Sequence, residues 1–431
     1  MEQLLEAKPA EANGSSRISI WKSPASWLLE KNLSRGFWVF FAVAFFFDFG
    51  FSIYVFLFNL YLLDFHFNER AIGLIGGAAT LGSVIGTLPA GWIARKTGLR
   101  PLLAICLIAS PLLGVARTLA MWESAQIGLA FLAGLGMCLW GVCFLPAMAR
   151  LTTEENRASA FSLIFSVGIG TTALGGVVCG YLPQWLKMAG FAMQAMEVKR
   201  LILIVSCGIA AVGLIPLLRL RLPLPESEPQ TEGKTTKQPW KMNPFLLRFL
   251  PAMALWAAVL AAFTPFANVY LSKDLHIPLS QIGLIFSAAQ IIQLCMILLT
   301  PLVFRRMGLV NGIVATQVAT AAALACLAAT QDRRLTIALY LSFSAVQWMS
   351  APGLYNLLMS RVPDEERSSA SAMTLFCNAL LGSGATAVAG ILFVRFGYPH
   401  VLLGIAVLAL TAAILFGALI APARSRTTVR L

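Results

Sequence analysis

The chain has 431 residues, of which 58% are hydrophobic and only 12% are charged. Soluble domains carry about 25% charged residues, so this composition excludes a soluble domain and indicates an integral membrane protein. The formal net charge of +13 does not indicate nucleic-acid binding, because the basic residues fall between apolar runs and form no single basic face.

Twelve apolar stretches follow one another along the chain, each near the roughly 20 residues that a helix needs to cross a bilayer. The pattern predicts an all-α integral membrane fold with twelve transmembrane helices. We number the stretches as spans 1 to 12, at residues 36–63, 71–94, 101–120, 125–149, 158–182, 201–220, 245–271, 281–304, 309–330, 335–359, 369–394 and 399–421.

A polar, proline-bearing segment separates span 6 from span 7 and predicts a flexible linker. The chain is therefore expected to divide into five parts. They are a cytoplasmic tail at 1–35, a six-helix half at 36–220, a cytoplasmic linker at 221–244, a second six-helix half at 245–421 and a cytoplasmic tail at 422–431.

Lys and Arg residues are distributed unequally between the two ends of the predicted spans. If the N-terminus is cytoplasmic, 23 of the 32 basic residues fall on the cytoplasmic side. Cytoplasmic loops of membrane proteins carry an excess of Lys and Arg, so we expect both termini inside. No apolar core precedes a cleavage site in the first thirty residues, so we expect span 1 itself to direct insertion into the cell membrane.

Asp48 is the only acidic residue inside the predicted spans. It lies thirteen positions beyond Arg35, which at about 1.5 Å per residue places it about 20 Å into the bilayer. A carboxylate at that depth is costly, so it is a functional-site hypothesis by default. Desolvation disfavours the charged form of a carboxyl group, so we predict that Asp48 takes up and releases a proton. The alternative is an acid that only holds neighbouring helices together by hydrogen bonds.

Short sequence blocks recur 210 residues apart. Ile72–Ile75 recurs as Ile282–Ile285, and Arg95–Leu99 recurs as Arg305–Leu309 with its Gly and Leu unchanged. A third block with the same separation precedes spans 5 and 11. Repeats of this kind predict two six-helix halves of parallel topology.

With these features the chain resembles the major facilitator superfamily of secondary transporters. The most specific element is the loop after span 2, where Gly91, Lys96, Gly98 and Arg100 match the family pattern and Arg95 replaces the usual Asp. The resemblance implies alternating access, in which the two halves rock about a central cavity near the midplane. It also implies that the acid of this loop helps to latch the cytoplasmic side shut in the family.

The Arg95 replacement predicts a different latch in this chain. Arg95 is expected to pair with the acidic run Asp364, Glu365 and Glu366, which precedes span 11 and suits a helix N-terminus. The alternative is that all these residues are only positive-inside and helix-end charges.

Uncharged polar and aromatic residues at cavity depth are the candidates for substrate contact. Amides and hydroxyls in lipid must find partners, and a Trp ring can stack on a flat or cationic ligand, although many such residues only bridge or anchor helices. The predicted substrate-binding residues are Ser52, Tyr54, Trp140, Trp256, Thr264, Asn268, Gln290, Gln293, Gln347 and Asn378.

Several kinds of chemistry have no signature in the sequence. No Gly-x4-Gly-Lys-Ser/Thr loop is present, and no enzymatic activity, cofactor or metal site is expected. No basic residue lies at mid-membrane, so an anionic substrate would lack a counter-charge. The expected partners are a small neutral or cationic molecule, protons and the bilayer, with the protein acting as a monomer.

Three functions stay open at this point. The first is proton-coupled export of small hydrophobic or cationic compounds, although the proline that many such exporters of the superfamily carry in span 5 is missing here. The second is proton-coupled import of a neutral nutrient such as a sugar or nucleoside. Those importers often carry an Arg in span 4, and here Arg150 lies only at its rim. A non-transporting scaffold or receptor is the third, and the internal repeat argues against it.

Overall fold

The computed structural model describes residues 33–120, 122–190, 194–220, 244–330, 332–363 and 367–420, and no strand occurs among them. The first half of the chain forms α1 (Arg35–Asp64), α2 (Glu69–Thr97), α3 (Leu99–Leu119), α4 (Glu123–Leu151), α5 (Glu154–Met188), α6 (Ala195–Val212) and α7 (Leu214–Arg219). The second half forms α8 (Pro244–Phe263), a 3-10 turn (Thr264–Phe266), α9 (Ala267–Lys273), α10 (Leu279–Met307), α11 (Leu309–Ala329), α12 (Arg333–Val346), α13 (Ser350–Arg361) and α14 (Arg367–Ile420).

The helices confirm the all-α membrane fold. Ten helical segments of the described chain are long and apolar enough to cross a bilayer. Span 10 is divided between α12 and α13, neither of which reaches that length alone. Spans 11 and 12 both fall within α14, which Gly397 interrupts with a non-helical φ of 73°. The count of twelve crossings stays a prediction.

Backbone geometry repeats between the two halves at the separation seen in the sequence. Gly98 and Gly308, which separate adjacent helices, have φ values of 85° and 80°. His66 and His276, in the turns after α1 and α9, have φ values of 62° and 50°. Positive φ is uncommon for a residue with a side chain, so the same unusual turn at both positions supports the repeat.

The helix ends lie on two sides of the bundle. We call the side of Arg35, where α1 begins, the near side, and the side of Asp64, where α1 ends, the far side. The short connections then place the junctions α2–α3, α4–α5 and α10–α11 on the near side. The junctions α1–α2, α5–α6 and α9–α10 lie on the far side. The near side is the one that the charge distribution predicts to be cytoplasmic.

Helix packing divides into contacts within each half and contacts between the halves. In the first half α1 packs against α5 and α6, and α2 packs against α4. In the second half α14 packs against α8 and α11. The halves meet where α2 lies against α14, where α5 lies against α10, and where α1 approaches α9.

Glycines make the contacts between the halves close. A Cβ on Gly176 of α5 would lie 2.9 Å from the Gly283 carbonyl oxygen of α10, and one on Gly73 of α2 would lie 3.0 Å from the Gly390 Cα of α14. Side chains cannot occupy such gaps, so only small residues allow the two backbones to touch. The structure thus shows that Gly176 and Gly180 of span 5 pack against the second half.

We predict that Gly283→Ala destabilises the protein and that Gly170→Ala does not. A methyl group at 283 meets the α5 backbone, whereas a Cβ at 170 has nothing within 4 Å. Overpacking of this kind costs about 1–3 kcal/mol. Thermal unfolding of the detergent-solubilised chain measures the difference, and equal transition temperatures for the two variants would contradict the close contact.

Candidate functional site

We infer a central cavity between the halves, open toward the near side, from the exposure of residues on two helices. The faces of α10 and α14 that join the first half include the buried residues Ser287 and Ser383. At helical spacing on the same faces toward the near side, Ile291, Leu298 and Phe376 are exposed, with Leu298 at 71% and Phe376 at 45%. The same surfaces are therefore closed at one end and open at the other.

Hydrogen bonds between the halves lie toward the far side. Asn59 Nδ2 of α1 donates to the Pro265 carbonyl at 2.8 Å. Ser383 Oγ of α14 donates to the Gly77 carbonyl of α2 at 2.7 Å, and Ser287 Oγ of α10 bonds the Ala173 carbonyl of α5. These contacts close the cavity on the side opposite to its opening.

Asp48 lies on the face of α1 that points to the second half. It precedes Val55 by seven residues and Asn59 by eleven, so each of these two side chains lies within about 20° of Asp48 around the helix. Asn59 touches the second half, and Val55 is 52% exposed, so this face borders the cavity. The Asp48 carboxyl is half-buried, and Gly168 of α5 lies beside it. It makes no hydrogen bond or ion pair with any described residue.

Ser52 ties α1 to α5 one turn beyond Asp48. Its Oγ lies 2.9 Å from the Phe49 carbonyl and 3.3 Å from the Thr171 carbonyl. A Cβ on Gly175 would lie 2.9 Å from the same Oγ, so the helices approach closely here. Ser52 therefore steadies the wall of the cavity next to the carboxyl group.

Two interrupted helices meet in the second half. The 3-10 turn at 264–266 separates α8 from α9, and residues 347–349 separate α12 from α13. Thr264 Oγ1 donates to Gln347 Oε1 at 3.3 Å, which joins the two breaks. Thr264 is exposed and Gln347 is buried. Broken helices at membrane depth are tolerated where they are buried in protein or line a cavity, and in secondary transporters they form binding sites.

Three amide side chains carry unused hydrogen-bonding capacity near these breaks and in the helices beside them. Gln290 and Gln293 of α10 are half-buried, share the helix face of Phe286, and make no hydrogen bond to a described residue. Asn378 Oδ1 of α14 is buried without a partner among the described residues. Buried polar groups without partners are costly, so such atoms are candidates for contact with water or ligand.

The remaining predicted substrate residues lie away from the open cavity. Tyr54 is buried between α1 and α3, where its hydroxyl donates to the Gly114 carbonyl at 3.0 Å. Trp140 packs inside the first half, 4.4 Å from the Phe47 ring by centroids. Trp256 is buried in the core of the second half. Asn268 donates to the Phe56 carbonyl at 2.9 Å and so joins the halves. Their substrate-binding roles stay predictions.

The predicted latch loop is described only in part. Gly98 makes the turn between α2 and α3, and a Cβ on Gly91 would have nothing within 4 Å. Lys96 Nζ lies 3.9 Å from the Trp92 ring centroid, and Arg100 donates to the Leu218 carbonyl at 2.6 Å. The side chain of Arg95 lies outside the described part of the chain. So do the acidic residues Asp364, Glu365 and Glu366, and the pairing among them stays a prediction.

An ion pair between the halves was not predicted from the sequence. Lys273 Nζ after the second-half break lies 2.7 and 2.9 Å from the two carboxylate oxygens of Glu69, the first residue of α2. The Glu69 side chain is only 3% exposed, and the Tyr398 hydroxyl donates to it at 3.4 Å. Burial and the Glu69 carboxylate raise the pKa of nearby Asp274, while His276 and Lys273 act in the opposite direction. Charges at helix ends gave no sequence signal that distinguished this pair from other loop charges.

The fold and the cavity define a class of protein, namely a multi-pass membrane transporter built from two similar halves. A family model described as Major Facilitator Superfamily matches residues 40–386, and the chain belongs to that superfamily. It is a transporter and not an enzyme. No curated protein matches the chain.

Solved structures share this fold. The chain is similar to the nucleoside transporter NupG, with a TM-score of 0.71, 16% identity, and coverage of 90% of this chain and 100% of that one. The inward-open xylose transporter XylE from E. coli has a TM-score of 0.70 and 14% identity, with coverage of 90% of this chain and 97% of that one. A bacterial homologue of the human lysosomal transporter Spinster, in an inward-facing and unoccupied state, has a TM-score of 0.71 and 14% identity, with coverage of 89% of this chain and 97% of that one. At these identities the likeness shows the fold alone.

We predict that Lys273→Gln loosens the far-side closure. The change leaves the Glu69 carboxylate buried without its cation, which is costlier than removing both charges. Val55→Cys, placed in the cavity in a cysteine-free background, is then expected to react several-fold faster with a membrane-impermeant maleimide added from the far side. The double variant Glu69→Gln/Lys273→Gln is expected to react more slowly than the single one.

The control for this experiment is Lys199→Gln. Lys199 pairs with Asp64 at 2.9 Å, also on the far side but within the first half. Its loss is expected to leave Val55→Cys labelling unchanged. An equal rise in labelling for both single variants would contradict a specific role of the pair between the halves.

Proposed function

We propose that the chain is a proton-coupled secondary transporter that works by alternating access in the cell membrane, as a monomer with both termini in the cytoplasm. The halves 36–220 and 245–421 move as two bodies, and the linker 221–244 joins them. The near side is then the cytoplasmic side, and the described conformation faces inward. The inward-open state of the similar XylE structure supports this assignment.

The observation that carries the proposal is the Asp48 carboxyl group, half-buried at a cavity wall without a described partner. Intramembrane acids usually pair with another side chain or mark a proton or ion pathway. A cation of the substrate or a proton would complete this site. Because a proton and a cationic substrate compete for the same carboxylate, binding of one releases the other. Exchange then needs no second ionisable group.

Export of small hydrophobic or cationic compounds is the first candidate. The described cavity faces combine one carboxyl group with aromatic and aliphatic side chains such as Phe286, Ile291 and Phe376. Among the described residues no Lys or Arg lies on these faces at the depth of Asp48, and Arg305 lies on the α10 face only at its near-side end. A lipophilic cation has complementary charge and surface, and an anion would find no counter-charge.

Import of a neutral nutrient is the second candidate, because of the amides in the second half. Gln290, Gln293 and the Thr264–Gln347 contact offer hydrogen bonds to hydroxyl-bearing molecules. A site built to hydrogen-bond a ligand discriminates strongly against analogues that lack the bonding groups. The similar solved structures include a nucleoside transporter and a D-xylose–proton symporter.

We predict that Asp48→Asn abolishes transport driven by a pH gradient. The amide keeps the shape of the side chain but cannot exchange a proton or neutralise a cation. The measurement uses the full chain in proteoliposomes, with tetraphenylphosphonium, uridine and D-xylose as three separate probes and an imposed pH gradient. The wild type is expected to transport at least one probe. The transport rate of Asp48→Asn is expected to be at least tenfold lower and to approach the rate of liposomes without protein.

Asp332→Asn is the matched control, since Asp332 caps α12 outside the cavity through its bond to the Leu335 amide. It is expected to keep wild-type rates. Gradient-driven transport that survives Asp48→Asn would remove Asp48 from the coupling step. Movement of the cation from the predicted cytoplasmic side to the far side would favour the first candidate, and movement of uridine or xylose in the opposite direction would favour the second.

A further inference from the structure

A groove on the outer surface of the first half runs between α1 and the α6–α7 region. Its lining includes Arg35, Trp38, Phe46, Val212, Ile215 and Arg219. The groove encloses about 400 Å³ and is open to its surroundings, so it is far larger than the about 10–15 Å³ that a single water needs. It does not include Asp48 and is separate from the central cavity.

The two ends of the groove differ in chemistry. Arg35 is the first residue of α1 and Arg219 is the last of α7, so both guanidinium groups lie at the near side. Both side chains are exposed, and neither makes an ion pair or hydrogen bond with a described residue. Further from the near side the lining is apolar, with Ile215 at 57% exposure. The groove therefore has two basic residues, Arg35 and Arg219, at its near-side end and an apolar lining beyond them, which we call the floor.

The length of the groove matches one leaflet. Arg35 and Phe46 are eleven residues apart on α1, which is about 16 Å along the helix axis. Half of the hydrocarbon core of a bilayer is about 15 Å. Trp38, which lies between them and is exposed, is the residue type enriched where headgroups meet hydrocarbon.

We propose that this groove is a binding site for an anionic phospholipid of the near-side leaflet. The phosphate lies between Arg35 and Arg219, and an acyl chain lies along the apolar floor toward Phe46. Basic pockets between transmembrane helices bind anionic headgroups, and Arg suits the geometry of phosphate oxygens. The bound lipid fills the seam between α1 and α6–α7, and α1 is the helix that carries Asp48 two positions beyond Phe46.

The test compares retained lipids on the purified full chain by native mass spectrometry, with phosphatidylglycerol and phosphatidylcholine as the two probes at equal concentration. The wild type is expected to retain phosphatidylglycerol preferentially. Arg35→Gln/Arg219→Gln is expected to reduce that retention at least fivefold. Arg305→Gln/Arg306→Gln removes the same charge from the near-side end of α10 and is expected to retain the lipid as the wild type does.

A second variant tests the floor without changing charge. Ile215→Trp fills an exposed part of the groove and is expected to reduce phosphatidylglycerol retention as well. Wild-type retention in either groove variant would overturn the proposal. Equal loss in the α10 control would show a general attraction of basic residues for anionic lipid and would overturn it too. A wild type that retains phosphatidylglycerol and phosphatidylcholine equally would also overturn the proposal. That result is expected if another segment of the chain occupies the groove.

Discussion

The contact between backbones at the far side is the constraint on which the described conformation depends. Gly176 meets Gly283 and Gly73 meets Gly390, so α5 touches α10 and α2 touches α14 without intervening side chains. Lipid tails are as apolar as leucine, so helices in a membrane gain little from hydrophobic burial and rely on close packing and hydrogen bonds. Small residues at these points allow close packing, and hydroxyl groups such as that of Ser383 supply hydrogen bonds. Because the same helix faces separate toward the near side, the cavity has a closed end and an open end.

This arrangement gives the polar residues of the cavity distinct positions. The first half supplies one carboxyl group, and the second half supplies amides beside two broken helices. A substrate in the cavity would thus meet groups carried by both halves, whose relative motion changes the distance between them. The Glu69–Lys273 pair lies beyond both groups, at the far-side end, and the proposed alternating access would require this pair to separate.

Much of the fold follows from the sequence because hydrophobic length and repeat are both local signals. The predicted span 36–63 coincides with α1, and the 210-residue repeat reappears in the backbone of Gly98 and Gly308. The position of Asp48 near the middle of α1 also follows from its place in span 1. The breaks at 264–266 and 347–349 did not show in the hydrophobic pattern, because the residues there remain apolar enough to continue a span. The pairing of Glu69 with Lys273, and the burial of Tyr54 and Trp140 away from the cavity, depend on how helices turn about their axes, which one sequence does not specify.

The central claim is that the Asp48 carboxyl group exchanges a proton at the cavity wall, and infrared titration of the purified wild type and Asp48→Asn tests it most directly. The account predicts a carboxyl carbonyl band that disappears from the wild type as the pH rises and that is missing from Asp48→Asn at every pH. The same band in both proteins, or no titrating band in the wild type, would contradict the account and leave the carboxyl group a structural element of the bundle.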